Sequence, residues 1–356
     1  MQIEEILARV TKEGASDIFI VAGLPLSYKL HREIKQDGEG KLMPADTADL
    51  VTQIYKLAGN RDMARLSQSG DDDFSFALRG VARFRINAYK QRGSLSAVIR
   101  VITFSIPDYR EYSISDKIIE FADKKKGLVL ITGPAGSGKS TTLACMIDHI
   151  NKTRQAHIIT LEDPIEYLHN HNMSIVSQRE VVTDTDSYLT ALRASLRQSP
   201  DVILLGEMRD YETMNVAMTA AETGHLILST LHTIGASNTI DRIIDAFPPN
   251  QQHQIAIQLS MVLQAVVSQQ LVPSTDGKLI PVFEIMTLTP AIRNMIRESK
   301  VHQIDGVIQQ SAADDMIAMD TSLMNLFKEG RITEKTALTY ATNPELLKKK
   351  IGALPR

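Results

Sequence analysis

The sequence predicts a two-domain α/β protein, with a small α+β module ahead of a parallel sheet covered by helices. Three observations predict it. The 356 residues exceed one small core and suit two. Beyond residue 115, short apolar runs alternate with helical patterns, as in a parallel sheet with helical crossovers. Gly133-Pro134-Ala135-Gly136-Ser137-Gly138-Lys139-Ser140 follows the first of these runs with the spacing G-x-x-x-x-G-K-[ST].

Ile3, Ile6, Leu7 and Val10 repeat at helical spacing, so the chain opens with an amphipathic helix ending near Gly14. Asp17–Ala22, Phe74–Leu78, Ala82–Tyr89 and Leu95–Ile102 read as strands, the last two joined around Gln91-Arg92-Gly93-Ser94. Pro107 to Ser113 lacks periodicity, which places the first domain at 1–106, a hinge-like linker at 107–115 and the second domain at 116–356. The strands expected next are Leu128–Thr132, His157–Leu161, Val202–Leu205 and Ile227–Leu231, with a helix from about Ser140. The C-terminal third reads as mainly helical, and Thr289-Pro290 supplies an N-cap and first helical residue before Ala291–Glu298. Met316, Met319 and Met324 stand at near-helical spacing and read as core.

Composition narrows the function. A net charge of −3 gives no basic surplus for a nucleic-acid backbone. One cysteine, Cys145, allows neither an internal disulfide nor a Cys-rich zinc site, which favours a reducing compartment. The N-terminus reads as carrying no secretory signal, and no apolar run approaches the roughly 20 residues of a membrane span. A cytoplasmic protein without a direct span is expected.

The glycine-rich loop between a strand and a helix aims backbone N–H groups and a helix N-terminus at phosphates. Lys139 is placed to hold β- and γ-oxygens and Ser140 to ligate Mg²⁺, with Thr141 beside it. Glu207 follows the apolar strand Val202–Leu205, at the strand end where α/β sheets bind ligands. A carboxylate there orients or deprotonates water, or ligates magnesium. An aspartate usually precedes such a glutamate; Gly206 stands in its place, so another acid must assist with the metal. Glu162, Asp163 and Glu166 around Pro164 are the candidates. His225 and His232 bracket the strand Leu226–Leu231 at an odd spacing, which in a regular strand points them to opposite faces and disfavours a shared metal. They read either as structural residues or as sensors of the γ-phosphate. Arg193, Arg197 and Arg209 surround the Glu207 strand, and Arg83, Arg85, Arg92 and Arg100 crowd the N-terminal strands. Such an arginine can act as a finger delivered from a neighbouring subunit. Arg85 and Arg100 stand out by lying within strand patterns.

At these residues the chain resembles the secretion-ATPase superfamily, and within it the PilT-type retraction motors of type IV pili, over nearly its whole length. Glu162-Asp163-Pro164-Ile165-Glu166 looks like the family's Asp box, Asp201–Asp210 like its atypical Walker B segment, and Thr223–Thr233 like its His box. The resemblance implies a PAS-like N-terminal domain, a RecA-like ATPase domain and a homo-hexameric ring using ATP and Mg²⁺. It places metal and catalytic roles on Glu162 and Glu207, and the family's histidine positions on His225 and His232. Arg209 is similar to the arginine after the Walker B glutamate. Ala291–Arg297 looks like the C-terminal segment that retraction members need beyond hydrolysis. The implied partner is an inner-membrane pilus platform protein, reached from the cytoplasmic face of that membrane. The tetracysteine element usual in extension and type II secretion ATPases is missing from the sequence. Gln269-Gln270-Leu271-Val272-Pro273 and Asp276-Gly277-Lys278 also look like PilU-type accessory motors. A principal retraction motor, an accessory motor, a nucleic-acid translocase and a weakly hydrolysing nucleotide-binding scaffold thus remain as readings.

Overall fold

The computed structural model describes residues 2–30, 33–102, 105–310 and 316–353. It divides into two compact units, Met1–Ser105 with Glu166–Leu168, and Ile106–Ile165 with His169–Arg356.

The first unit contains α1 (Ile3–Lys12), β1 (Asp17–Ile20), β2 (Pro25–Leu30), β3 (Glu33–Lys41), α2 (Pro44–Leu57), α3 (Ala64–Ser69), β4 (Asp71–Leu78), β5 (Ala82–Gln91) and β6 (Ser94–Ile102). Its described strands form an antiparallel sheet in the order β3-β2-β1-β6-β5-β4. α1 buries Ile3, Ile6, Leu7 and Val10, as its periodicity predicts. Along β5, Ala82, Phe84, Ile86 and Ala88 enter the core, leaving Arg83, Arg85 and Asn87 on the opposite face. Arg92 and Gly93, with φ of 50° and 77°, turn β5 into β6. Two positive φ values in a two-residue loop match the twist of the flanking strands. A buried hub braces this unit: Asp72 accepts from Arg61 Nε (2.9 Å), Arg61 Nη2 (3.0 Å) and the Tyr55 hydroxyl (2.9 Å).

The second unit begins with α4 (Asp116–Glu120), β7 (Gly127–Thr132), α5 (Lys139–Thr153), β8 (His157–Glu162) and β9 (Ile175–Glu180). It continues with α6 (Tyr188–Ser195), β10 (Val202–Leu205), α7 (Tyr211–Glu222), β11 (Leu226–Leu231), α8 (Ala236–Asp245) and α9 (Pro249–Val262). β12 (Leu263–Pro273) and β13 (Leu279–Thr287) follow, then α10 (Pro290–Arg297), α11 (Ile304–Gln310), α12 (Met319–Lys328), α13 (Glu334–Tyr340) and α14 (Pro344–Gly352). The strand order is β13-β12-β7-β11-β10-β8-β9, parallel throughout except for β13. Apolar cores cover both faces, which is why the central strands are continuous apolar runs. The C-terminal segment carries the long β12–β13 pair before its helices, a departure from the helical expectation. α10 starts as expected, with the Thr289 side chain accepting from the Ile292 amide. Met319 and Met324 are buried in the core formed with α12 to α14. Tyr109 and Ile114, in the stretch expected to be a linker, pack on the second unit's core, as does Ile106, which was expected to close the first domain.

Because β7, β11, β10 and β8 run parallel, Thr132, Leu231, Leu205 and Glu162 end along one edge of the sheet. The candidate site lies there.

Candidate nucleotide site

β7 delivers the chain into the loop 133–138, and α5 begins at Lys139. Gly133 has φ 140°, and a Cβ on it would lie 2.0 Å from the Gln269 carbonyl oxygen of β12. No other residue fits where loop and strand approach so closely. Gln269, 2% exposed, holds the loop from the same strand. Its Nε2 donates to the Ser137 carbonyl (2.7 Å), and its Oε1 accepts from the Thr142 hydroxyl (2.8 Å). Thr132 Oγ1 and Ser137 Oγ are buried without a hydrogen-bond partner among the described residues. The sequence reading missed Gln269 as a site residue. The available signal was a run of polar residues, Ser268-Gln269-Gln270, inside an otherwise apolar strand, and all three are buried.

Lys139 is nearly buried, and its Nζ donates to the carbonyls of Gly133 (2.8 Å) and Pro134 (2.9 Å) and lies 3.5 Å from His232 Nδ1. His232 Nε2 is in turn 3.5 Å from Glu207 Oε2, while Glu207 Oε1 pairs with Arg209. The sheet order explains this row. β11 separates β7 from β10, so the strands that lead to Lys139 and Glu207 stand about 10 Å apart, two interstrand spacings. His232, just beyond β11, spans that interval. His225 lies at the other end of β11, about 20 Å away at ~3.3 Å per residue, with Nδ1 3.0 Å from the Ala220 carbonyl at the end of α7. The structure therefore does not gather His225 into this site.

Glu162 closes β8, one strand beyond β10. Its Oε1 accepts from the Thr160 hydroxyl (2.6 Å) and Gln178 Nε2 (3.2 Å). Gly206 is held by its amide, which donates to the Leu161 carbonyl (2.8 Å), and by its own carbonyl, which accepts from the Thr230 hydroxyl (2.6 Å). A Cβ on Gly206 would meet the Tyr188 hydroxyl at 2.8 Å and the Leu161 carbonyl at 3.1 Å. An aspartate here would force Tyr188, another residue the sequence reading passed over, out of the space its hydroxyl fills. Burial, then the Asp163, Glu207 and Glu162 carboxylates, push the Tyr188 phenol above its ordinary pKa, so it stays a neutral O–H.

Ser140 and Thr141 occupy the first turn of α5, where the helix N-terminus favours anions. Pro134, Ala135 and Gly136 are exposed at the crest of the loop, and Gly136 and Gly138 have φ of 74° and 87°. No cluster of three His, Cys, Asp or Glu side chains able to hold a metal occurs among the described residues. Mg²⁺ binds through one or two protein oxygens and completes its shell with phosphate and water. Ser140, Glu162 and Glu207 are the oxygen donors on this edge that could hold it.

In the first unit, Arg85 and Arg100 are direct cross-strand partners. With Asp17, Asp73, Asn87 and Val98 they line an open concavity of about 380 Å³. Arg100 Nε donates to Asp17 (3.0 Å), which fixes one edge of its guanidinium. Arg193 lies 3.9 Å from Glu212, and Arg197 donates to the Arg193 carbonyl. No described helix is long and apolar enough to cross a membrane.

The family model described as type II/IV secretion system protein matches residues 1–283. The type IV pilus retractation ATPase PilT of Pseudomonas aeruginosa is 42% identical over 345 residues, covering 97% of this chain and 99% of the relative. The type IV pilus ATPase PilU of the same organism is 40% identical over 342 residues, covering 96% and 89%. The crystal structure of the pilus retraction motor PilT with bound ADP superposes with a TM-score of 0.90 at 45% identity, covering 98% of this chain and 99% of that one. A phosphate loop on a parallel sheet, a glutamate at a neighbouring strand end and this likeness along the whole length agree: the chain belongs to the type II/IV secretion system protein family and is one of its P-loop ATPases.

Proposed function

We propose that this ATPase is the motor of type IV pilus retraction, working as a homo-hexamer at the cytoplasmic face of the inner membrane against a pilus platform protein. The observation that carries the reading is the row Lys139–His232–Glu207, which links the phosphate loop to the acid two strands away. The loop amides and Lys139 bind the β- and γ-phosphates, and Glu207 positions the attacking water and takes its proton. His232 carries the state of the γ-phosphate to Glu207, and Arg209 holds that carboxylate in place. Ser140, Glu162 and Glu207 would hold Mg²⁺, which when bound would neutralise charge on the phosphate oxygens. Arg85 and Arg100 are the groups a neighbouring subunit would bring to the γ-phosphate, which makes hydrolysis depend on assembly.

Nearly equal identity to PilT and PilU supports a second reading, an accessory motor acting beside a principal one. One experiment addresses both. ATP turnover of the purified protein is followed across its concentration range beside its mass in solution, with Lys139→Ala and Glu207→Gln as controls, and the gene is returned to cells lacking their retraction ATPase. Turnover that rises with hexamer and restored twitching support the principal motor. Turnover without twitching moves the protein to the accessory role. Turnover unaffected by Glu207→Gln refutes the mechanism.

A further inference from the structure

Tyr188 is the first residue of α6, and its position is fixed from below: Ser187 caps the helix by accepting from the Thr190 amide (3.1 Å). Its ring packs on the apolar core beneath the sheet. Its hydroxyl emerges 2.8 Å from the point a side chain at residue 206 would occupy, next to Glu207 and the backbone of Glu162. It makes no hydrogen bond to protein groups among the described residues, although it feels the charges of the Asp163, Glu207 and Glu162 carboxylates. A phenol carried by a core-packed ring and aimed into an acidic edge is a donor in search of an acceptor, and here the residue before the catalytic glutamate has no side chain of its own.

We infer that Tyr188 is a positioning residue that takes the place of the missing aspartate, its hydroxyl hydrogen-bonding the hydration shell of the Mg²⁺ that accompanies ATP between Glu162 and Glu207. The inference rests on the ATPase reading of this edge. It also accounts for Gly206, because a side chain there would crowd the Tyr188 hydroxyl at 2.8 Å. An aspartate would add a charge to a site already holding Glu162, Asp163 and Glu207. A neutral phenol fixes water there without adding to that repulsion.

The test is Tyr188→Phe, which keeps the ring and removes one oxygen. Binding of a fluorescent ATP analogue is titrated with Mg²⁺ on the full-length protein, with the melting temperature measured without nucleotide and turnover recorded in parallel. The Mg²⁺ concentration giving half-maximal tightening of ATP binding should rise about tenfold, the size of one hydrogen bond in a charged setting. The melting temperature should stay unchanged. Gly206→Ala should disturb the Mg²⁺ dependence in the parent chain and add little in the Tyr188→Phe background. A Mg²⁺ dependence within about twofold of the parent overturns the inference, as does a shift accompanied by a lower melting temperature, which marks a packing role. So does a parent protein whose ATP binding ignores Mg²⁺. Absent turnover in the parent would instead sink the motor reading, leaving the binding titration to decide the role of Tyr188.

Discussion

Replacing Gln269 with methionine tests how the phosphate loop is held. The substitution conserves length and removes two buried hydrogen bonds, to the Ser137 carbonyl at 2.7 Å and from the Thr142 hydroxyl at 2.8 Å. A neutral hydrogen bond contributes about 1 kcal/mol net, and a buried partner left unpaired costs about 1–3 kcal/mol. The pair therefore holds the loop by about 2–4 kcal/mol. β7 and β12 stay registered from Leu263 to Ser268 through their backbones, so the loss is confined to the loop. A loop that must be reassembled before it binds phosphate weakens binding by up to that free energy, and 2 kcal/mol corresponds to about 30-fold. Affinity for a fluorescent ADP analogue, measured by anisotropy, should fall about 30-fold or more. Thr142→Val, which breaks one of the two bonds, should show a smaller loss, and the double variant should add little to Gln269→Met because both act through one contact. Affinity within threefold of the parent in the double variant would refute the clamp.

Three further outcomes follow from the geometry. Burial pushes the Asp72 carboxyl up, but hydrogen bonds from Arg61 and Tyr55 and the charges of Arg61 and Arg65 outweigh it and hold the group below its ordinary pKa. Its stabilisation is thus complete above the unfolded carboxylate pKa and is lost as pH falls through the lower folded value. Asp72→Asn should cost about 2 kcal/mol in urea denaturation at neutral pH, because it leaves the buried Tyr55 hydroxyl and the partly exposed Arg61 guanidinium without their anion, and should flatten the loss of stability in acid. Val182 is 75% exposed with φ 71°, a conformation costly for a β-branched residue. Val182→Gly should therefore stabilise the protein by about 0.5–1 kcal/mol once the greater chain entropy of glycine is counted, and an unchanged or lower melting temperature contradicts this. α10 buries Ile292 and Ile296 and turns Arg293, Asn294 and Arg297 to solvent. Arg293→Ala with Arg297→Ala should leave ATP turnover within twofold of the parent while abolishing twitching; loss of turnover would make the helix part of the ATPase rather than its coupling.

What was legible in the sequence was what local pattern encodes. The loop carries its chemistry within eight consecutive residues, and the strands bearing Glu162 and Glu207 are short apolar runs that only a sheet buried on both faces requires. β3 escaped notice because an exposed edge strand, Glu-Ile-Lys-Gln-Asp-Gly-Glu-Gly-Lys, has no buried face to write a period of two, and its charges serve to prevent further pairing. β12 is buried on both faces but interrupted by Ser268, Gln269 and Gln270, so it reads as neither alternating nor apolar. Those interruptions are functional in part: Gln269 reaches partners 127 and 132 positions away along the chain, and no local window contains both ends of such a contact. The same limit applies to Tyr188 and Gly206. The absent aspartate was visible as a gap in a motif, but what occupies the gap comes from a different helix and becomes evident only when the sheet sets β8 beside β10. The histidines make the point in reverse. Their odd spacing raised a question of faces, whereas strand direction decided the matter, putting His232 beside the phosphate loop and His225 at the far edge. A parallel sheet sorts residues by which end of a strand they occupy, so the direction of β11 was the missing term that separated a site histidine from a helix-end one.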